Sequence, residues 1–440
     1  MVEQTGLGVL CACVPLRSRS APGAALLLLI ALATGCGTVA TQPGTAAADV
    51  SSTEDGGRLG PLDGAAGAEV HGDAAAIDVP TGADGATGPG DSTASGDTTA
   101  APDGDPVADP WDLPGIPYKL APGAPIAAPA ETWTFVPVPD ARCANGTSTG
   151  MAVNLSNKSK RVVFYLQGGG TCWEAAACAG GAATHITDTM GEQAVLAEAQ
   201  AAPLQVLFSR TDPANPFRDA SFVYVPYCTG DLHAGTKAHT YDWFGPKVVH
   251  HVGARNLDAY LARVAPTFPG ADRLWLIGAS AGGYGATFHW WRVQKALPWA
   301  RVDVVNDSGL AIDTAADGRY GTMQTTWKIE FPPGCPDCAQ HLGSVLTYQA
   351  TVLAAPRRYG LMAYLHDQTI GLYFSLSGPQ IQKALEALRA SAPKHVRTFH
   401  LPGTPHVVLA TPGVKTSDGT SAQAWLQALA GDGPWDHAGP

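Results

Sequence analysis

The sequence predicts an α/β fold with a mostly parallel central sheet and helices on both faces. Two observations carry this expectation. Runs at 161–166, 221–225, 273–277 and 301–305 are apolar and β-rich almost without interruption, as strands buried on both faces are. Segments of helical spacing at 247–265, 281–297 and 378–392 lie between and after them. Strands that alternate with helices imply a parallel sheet sandwiched between helical layers.

The elements follow in order. Residues 132–138 (TWTFVPV) and 151–154 read as short antiparallel strands that open the sheet. The run 161–166 (RVVFYL) is the first buried strand and 221–225 (SFVYV) the second. After the helical segment 247–265 comes the strand 273–277 (RLWLI), then the helix 281–297 and the strand 301–305 (RVDVV). Strands at 361–364 and 396–401 close the series, separated by the amphipathic segment 378–392. No internal repeat interrupts the pattern, so 111–440 is expected to be one catalytic domain.

The N-terminal quarter differs in kind. Residues 1–36 read as an export signal: Arg17 and Arg19 precede the apolar run 24–33, which is shorter than a membrane span. The run leads through Ala33-Thr34-Gly35 into Cys36, an arrangement resembling a lipobox with Cys36 as the lipidated residue. Residues 37–110 hold eleven Asp and two Glu against a single base, Arg58, and contain no Phe, Tyr, Trp or Cys. Such a segment buries too little apolar surface to offset its conformational entropy, and it is expected to be a disordered acidic tether. The formal charge of −11 therefore belongs to the tether. The remainder is close to neutral, with no bias toward nucleic acid.

The strongest chemical signal is Gly278-Ala279-Ser280-Ala281-Gly282-Gly283, a G-x-S-x-G placed directly between a buried strand and a helix. A serine nucleophile needs such a tight strand-to-helix turn, with small neighbours and a helix N-terminus facing the developing oxyanion. Gln167-Gly168-Gly169-Gly170 follows an earlier strand, where glycines let backbone N–H groups approach a substrate. Gly169 and Gly170, with Ala281 after the nucleophile, are the expected oxyanion donors. The chain order nucleophile, acid, histidine then selects by strand count. Asp367 follows the second strand after Ser280, and His406 follows the last. Asp307, ending the strand after Ser280, is the rival acid.

Together these pieces resemble the pectin acetylesterase family, which includes the Notum carboxylesterases. The resemblance covers roughly 132–410. It rests on Gln167–Trp173 (QGGGTCW), 226–235 (PYCTGDLHAG), the serine turn, Asn306-Asp307-Ser308-Gly309, Asp367-Gln368 and the late His406. It implies Ser280, Asp367 and His406 as the triad, with Asp231 structural or lining the pocket. It also implies disulfides Cys143–Cys228 and Cys172–Cys178, which leaves Cys335–Cys338 as a local pair. The sequence departs from the family pattern in lacking a Trp beside Asp367, and Val407 stands where eukaryotic members commonly carry Cys.

The expected function is hydrolysis of an O-acyl ester, most of all acetyl, on an acylated carbohydrate outside the cytoplasm. The enzyme would be held at a bacterial envelope by its anchor or secreted. An exported lipase or feruloyl-type esterase, or an inactive surface-displayed binding protein, are the competing readings. This chemistry requires no cofactor and no metal. His250-His251, read as helical neighbours, point about 100° apart and are not expected to share an ion.

Overall fold

The computed structural model describes residues 112–113, 115–201, 204–411 and 413–440. The signal, Cys36 and the acidic tether lie outside them. Ten strands and ten α-helices are described. An eight-stranded sheet is built from β1 (Thr134–Arg142), β2 (Ser148–Asn154), β3 (Arg161–Leu166), β4 (Ser221–Val225), β7 (Arg273–Ala279), β8 (Arg301–Asp307), β9 (Tyr359–Tyr364) and β10 (Val396–Leu401). Their spatial order is β1-β2-β4-β3-β7-β8-β9-β10. The pairs β1/β2 and β2/β4 are antiparallel and every later pair is parallel. The expected mostly parallel sheet, with an antiparallel opening, is what the chain forms.

Alternation along each strand divides the core into two layers. Val162, Phe164 and Leu166 of β3, with Leu274 and Leu276 of β7, pack on one face beneath α4 (Gly253–Thr267), α5 (Ala281–Ala296) and α7 (Leu342–Val352). Val163, Tyr165, Trp275 and Ile277 face the other way, toward α2 (Glu192–Ala199), α3 (Gln205–Phe208) and α10 (Ala422–Ala430). Both faces of the central strands are thus dry, which is why their sequences run apolar without a polar alternate.

Three strands match the expected bounds, and the others extend by a few residues at either end. One segment differs in type. The expected helix 247–265 is in fact a strand, β6 (Pro246–His251), followed by α4; β6 pairs antiparallel with β5 (Lys237–Asp242) in a separate hairpin. A single residue, Val252, separates strand from helix, so the two periodicities blend in the sequence. His250 and His251 therefore point to opposite sides of a strand rather than around a helix. The helices α1 (Ala175–Ala179), α2, α3, α6 (Arg319–Trp327), α7, α8 (Gln368–Phe374) and α10 had no counterpart in the sequence reading.

All three disulfides form as the resemblance implied: Cys143–Cys228, Cys172–Cys178 and Cys335–Cys338. The first ties the end of the β1–β2 hairpin to the loop after β4. The second closes the loop that follows Gly168–Gly170. Among the described residues, no helix is long and apolar enough to cross a membrane.

Candidate active site

The site lies at the carboxyl ends of the parallel strands, where loops from β3, β7, β9 and β10 converge. Only one residue, Ser280, stands between β7 and α5, and it adopts φ 55° and ψ −120°. A non-glycine residue there costs on the order of 1–3 kcal/mol and persists only where its surroundings impose it. Two contacts impose it here. The Ser280 N–H donates to the Asp307 carbonyl at 2.7 Å. The flanking turn is also too crowded for side chains: a Cβ on Gly278 would strike the Gly282 carbonyl, and one on Gly282 the Leu166 carbonyl. The G-x-S-x-G spacing is thus a packing requirement of α5 against β3 and β7.

His406 sits in the loop after β10. Its Nδ1 lies 2.7 Å from Asp367 Oδ2. Asp367 is fully buried at the head of α8, and its other oxygen, Oδ1, accepts from the Ile370 N–H at 3.0 Å. With Nδ1–H directed at a carboxylate, the imidazole presents a lone pair at Nε2. That Nε2 is buried and has no hydrogen-bond partner among the described residues. His406 and Ser280 line the same open cleft, of about 540 Å³. Buried polar atoms nearly always find a partner, and one that does not calls for a role.

Gly168, Gly169 and Gly170 form another wall of this cleft. A Cβ on Gly168 would meet Ser280 Cβ at 2.9 Å, so the glycine loop lies against the serine turn. Gly170, at φ 73°, leaves no room for a side chain beneath the Ala182 carbonyl and Tyr373. Gln167 anchors the loop from behind: its Oε1 accepts from the Tyr227 N–H at 2.8 Å, and its amide donates to Glu198. Ala281 opens α5, at a position whose N–H lacks an intrahelical acceptor.

The rival acid, Asp307, does not touch His406. Its carboxylate accepts from the Val408 and Leu409 N–H groups, each at 2.8 Å. Asp231 is likewise buried and bonded to Thr229 Oγ1 and to the Gly235 and Gly253 N–H groups, away from the cleft. Among the described residues, the nearest approach to a metal set is Cys172, Cys178 and His251. Both sulfurs are spent in one disulfide, and both His251 nitrogens are bonded, to the Thr229 carbonyl and to Tyr241 Oη. Tyr165, Thr184, Thr369 and Tyr373 also line the cleft. No motif pointed to them, because each arrives from a segment whose neighbours carry no chemical signal.

A family model described as pectinacetylesterase matches residues 130–331. Over that stretch, a little under half of its length, the chain is similar to the pectin acetylesterase family. That family is one of carboxylic-ester hydrolases. The matched stretch includes the glycine loop and Ser280, whereas Asp367 and His406 lie beyond it. Among curated relatives, palmitoleoyl-protein carboxylesterase Notum of Schmidtea mediterranea is 28% identical over 161 residues, covering 36% of this chain and 29% of that protein. The Homo sapiens protein of the same name is 26% identical over 185 residues, covering 39% of this chain and 34% of its own length. The matched segments thus span about a third of those relatives. A solved structure of the Wnt deacylase Notum from Drosophila covers 68% of this chain and 93% of its own, at 18% identity and a TM-score of 0.49.

Proposed function

We propose that this chain is a serine carboxylesterase with Ser280 as nucleophile, His406 as general base and acid, and Asp367 as the carboxylate that orients the imidazole. The observation that carries the reading is the part-buried imidazole of His406. It is bonded to Asp367 through Nδ1 and has an unpartnered Nε2 in the cleft that Ser280 lines. As Ser280 Oγ adds to the ester carbonyl carbon, its proton passes to Nε2, and the carbonyl oxygen takes the negative charge. The N–H groups of Gly169, Gly170 and Ala281 would receive that oxyanion. Collapse expels the alcohol, protonated by His406. Water then adds to the acyl-enzyme by the same proton route and frees the acid and Ser280.

The acyl group is where the cleft adds to the sequence reading. Its lining includes Tyr165, Ala182, Ala279, Tyr373, Val407 and Ala410, and it contains no Lys or Arg. An acidic polysaccharide would find no counter-charge here, whereas an apolar acyl chain longer than acetyl would fit a space of this size. The curated relatives are named for a palmitoleoyl group, which supports the same choice. The leading substrate class is therefore an ester of an extended apolar acyl group, ahead of acetylated carbohydrate. The three disulfides support an oxidising compartment, in keeping with the proposed export and lipid anchoring at Cys36.

The test is hydrolysis of a 4-nitrophenyl ester series from acetate to palmitate, with Ser280→Ala as control. Turnover that rises with chain length and vanishes in the variant is expected. A sharp maximum at acetate would restore deacetylation, and folded protein inert on every ester would leave a binding protein.

A further inference from the structure

Asp307 lies at the end of β8 and reaches both halves of the candidate machinery. Its carbonyl accepts the Ser280 N–H at 2.7 Å, which helps hold the serine in its strained turn. Its carboxylate accepts from Val408 N–H through Oδ1 and from Leu409 N–H through Oδ2. Ser308 Oγ donates to Asp307 Oδ1 at 3.0 Å and accepts from the Val407 N–H at 3.1 Å. Three consecutive N–H groups directly after His406 are thus captured by one Asp-Ser pair. The capture has a conformation to enforce: Val407 adopts φ 65°, which is a steric outlier for a β-branched residue.

We infer that Asp307 is a positioning residue for the Ser280–His406 pair, tying the histidine loop to the serine turn. This rests on the reading of Ser280 and His406 as nucleophile and base. Burying a carboxylate is costly, and a neutral amide could not accept from two N–H groups through two oxygens. The surroundings of Asp307 are sparse in charge. A cavity of about 70 Å³ beside it is lined by Leu204, Val206, Leu207, Ile277 and Leu409. Tyr165 on β3 and His406 are the ionisable groups that its charge reaches. Burial pushes the Asp307 carboxyl up to about 6, while its hydrogen bonds and the imidazole pull it back.

Asp307→Asn removes the charge and one of the two acceptors while keeping the shape. The full chain carrying it, shown folded by circular dichroism, is expected to lose kcat by about tenfold or more, with KM within about twofold. Unchanged kcat would overturn the inference, and so would a loss carried mainly by KM, which leaves only a structural tie. If Asp307→Asn does not fold, Ser308→Ala frees the Val407 N–H with the charge retained. A several-fold loss of kcat at constant KM is then expected, and full activity overturns the positioning role. A wild type inert on all esters would overturn the esterase reading and this inference together, whereas an active wild type with equally active variants would overturn the inference alone.

Discussion

Asp367 serves two structures at once, a helix cap and the His406 imidazole. Oδ1 caps α8 through the Ile370 N–H, so the helix fixes the carboxylate plane, and Oδ2 is left aimed at His406 Nδ1. Asp367→Asn would keep the cap through its amide oxygen but present an NH₂ to Nδ1. The imidazole would then turn to the tautomer with its proton on Nε2, which cannot accept from Ser280. On the order of 10⁴-fold loss in kcat is expected, with little change in melting temperature because the cap survives. Activity within tenfold of wild type would remove Asp367 from the triad. The strand count singled out this residue because chain order and topology are coupled in a parallel sheet. The part that Asp307 plays was not legible, since it depends on which backbone N–H groups a folded loop presents.

At the scale of elements, what was legible follows from how much of each element's environment its own residues encode. The strands β3 and β4 were found to the residue because burial on both faces leaves an almost unbroken apolar run bounded by polar turns. The serine turn was found because crowding between α5, β3 and β7 demands glycine at fixed spacing. The β5–β6 hairpin was lost, because β6 runs into α4 through Val252 alone and its inward residues, Val249 and His251, are only two. The oxyanion loop depends on elements distant in sequence: Tyr227 and Glu198 brace Gln167, and Cys172–Cys178 closes the turn beyond. The disulfides differ in what they constrain. Cys143–Cys228 spans 85 residues, whereas Cys172–Cys178 spans 6. By loop-closure entropy the longer bridge contributes about 4–5 kcal/mol and the shorter about 2. Replacing Cys143 and Cys228 with Ala should therefore lower the melting temperature clearly more than the same change at Cys172 and Cys178. The short bridge should show its effect in kcat instead, through the glycine loop. Equal losses of stability would contradict this division.

At the scale of the whole molecule, the distribution of buried ionisable groups sets a pH dependence of stability. His233, His251, His289 and His400 are buried, and burial is the first cause that lowers each. His233 and His251 fall to about 4 and His400 to about 3. Between roughly pH 4 and 6.5 the unfolded chain holds a proton on each of these that the folded chain lacks, so acidification favours unfolding. Asp231 and Asp307 act in the opposite sense. Burial raises both to about 6, so between about pH 4 and 6 the folded chain holds protons that the unfolded chain does not. The half-buried His437, lowered to about 4 mainly by burial, adds to the first group, whereas His185, raised by its bond to Glu198, is protonated in both states below about pH 6 and shifts the balance little. The lowered histidines outnumber the raised carboxylates five to two, and each net proton is worth about 1.4 kcal/mol per pH unit. Stability should accordingly fall by a few kcal/mol from pH 6.5 to 5, with net proton uptake on unfolding near pH 5.5. Calorimetry in two buffers of different ionisation enthalpy measures that uptake directly, and net proton release would mean that the buried carboxylates, not the histidines, govern the acid limit of this fold.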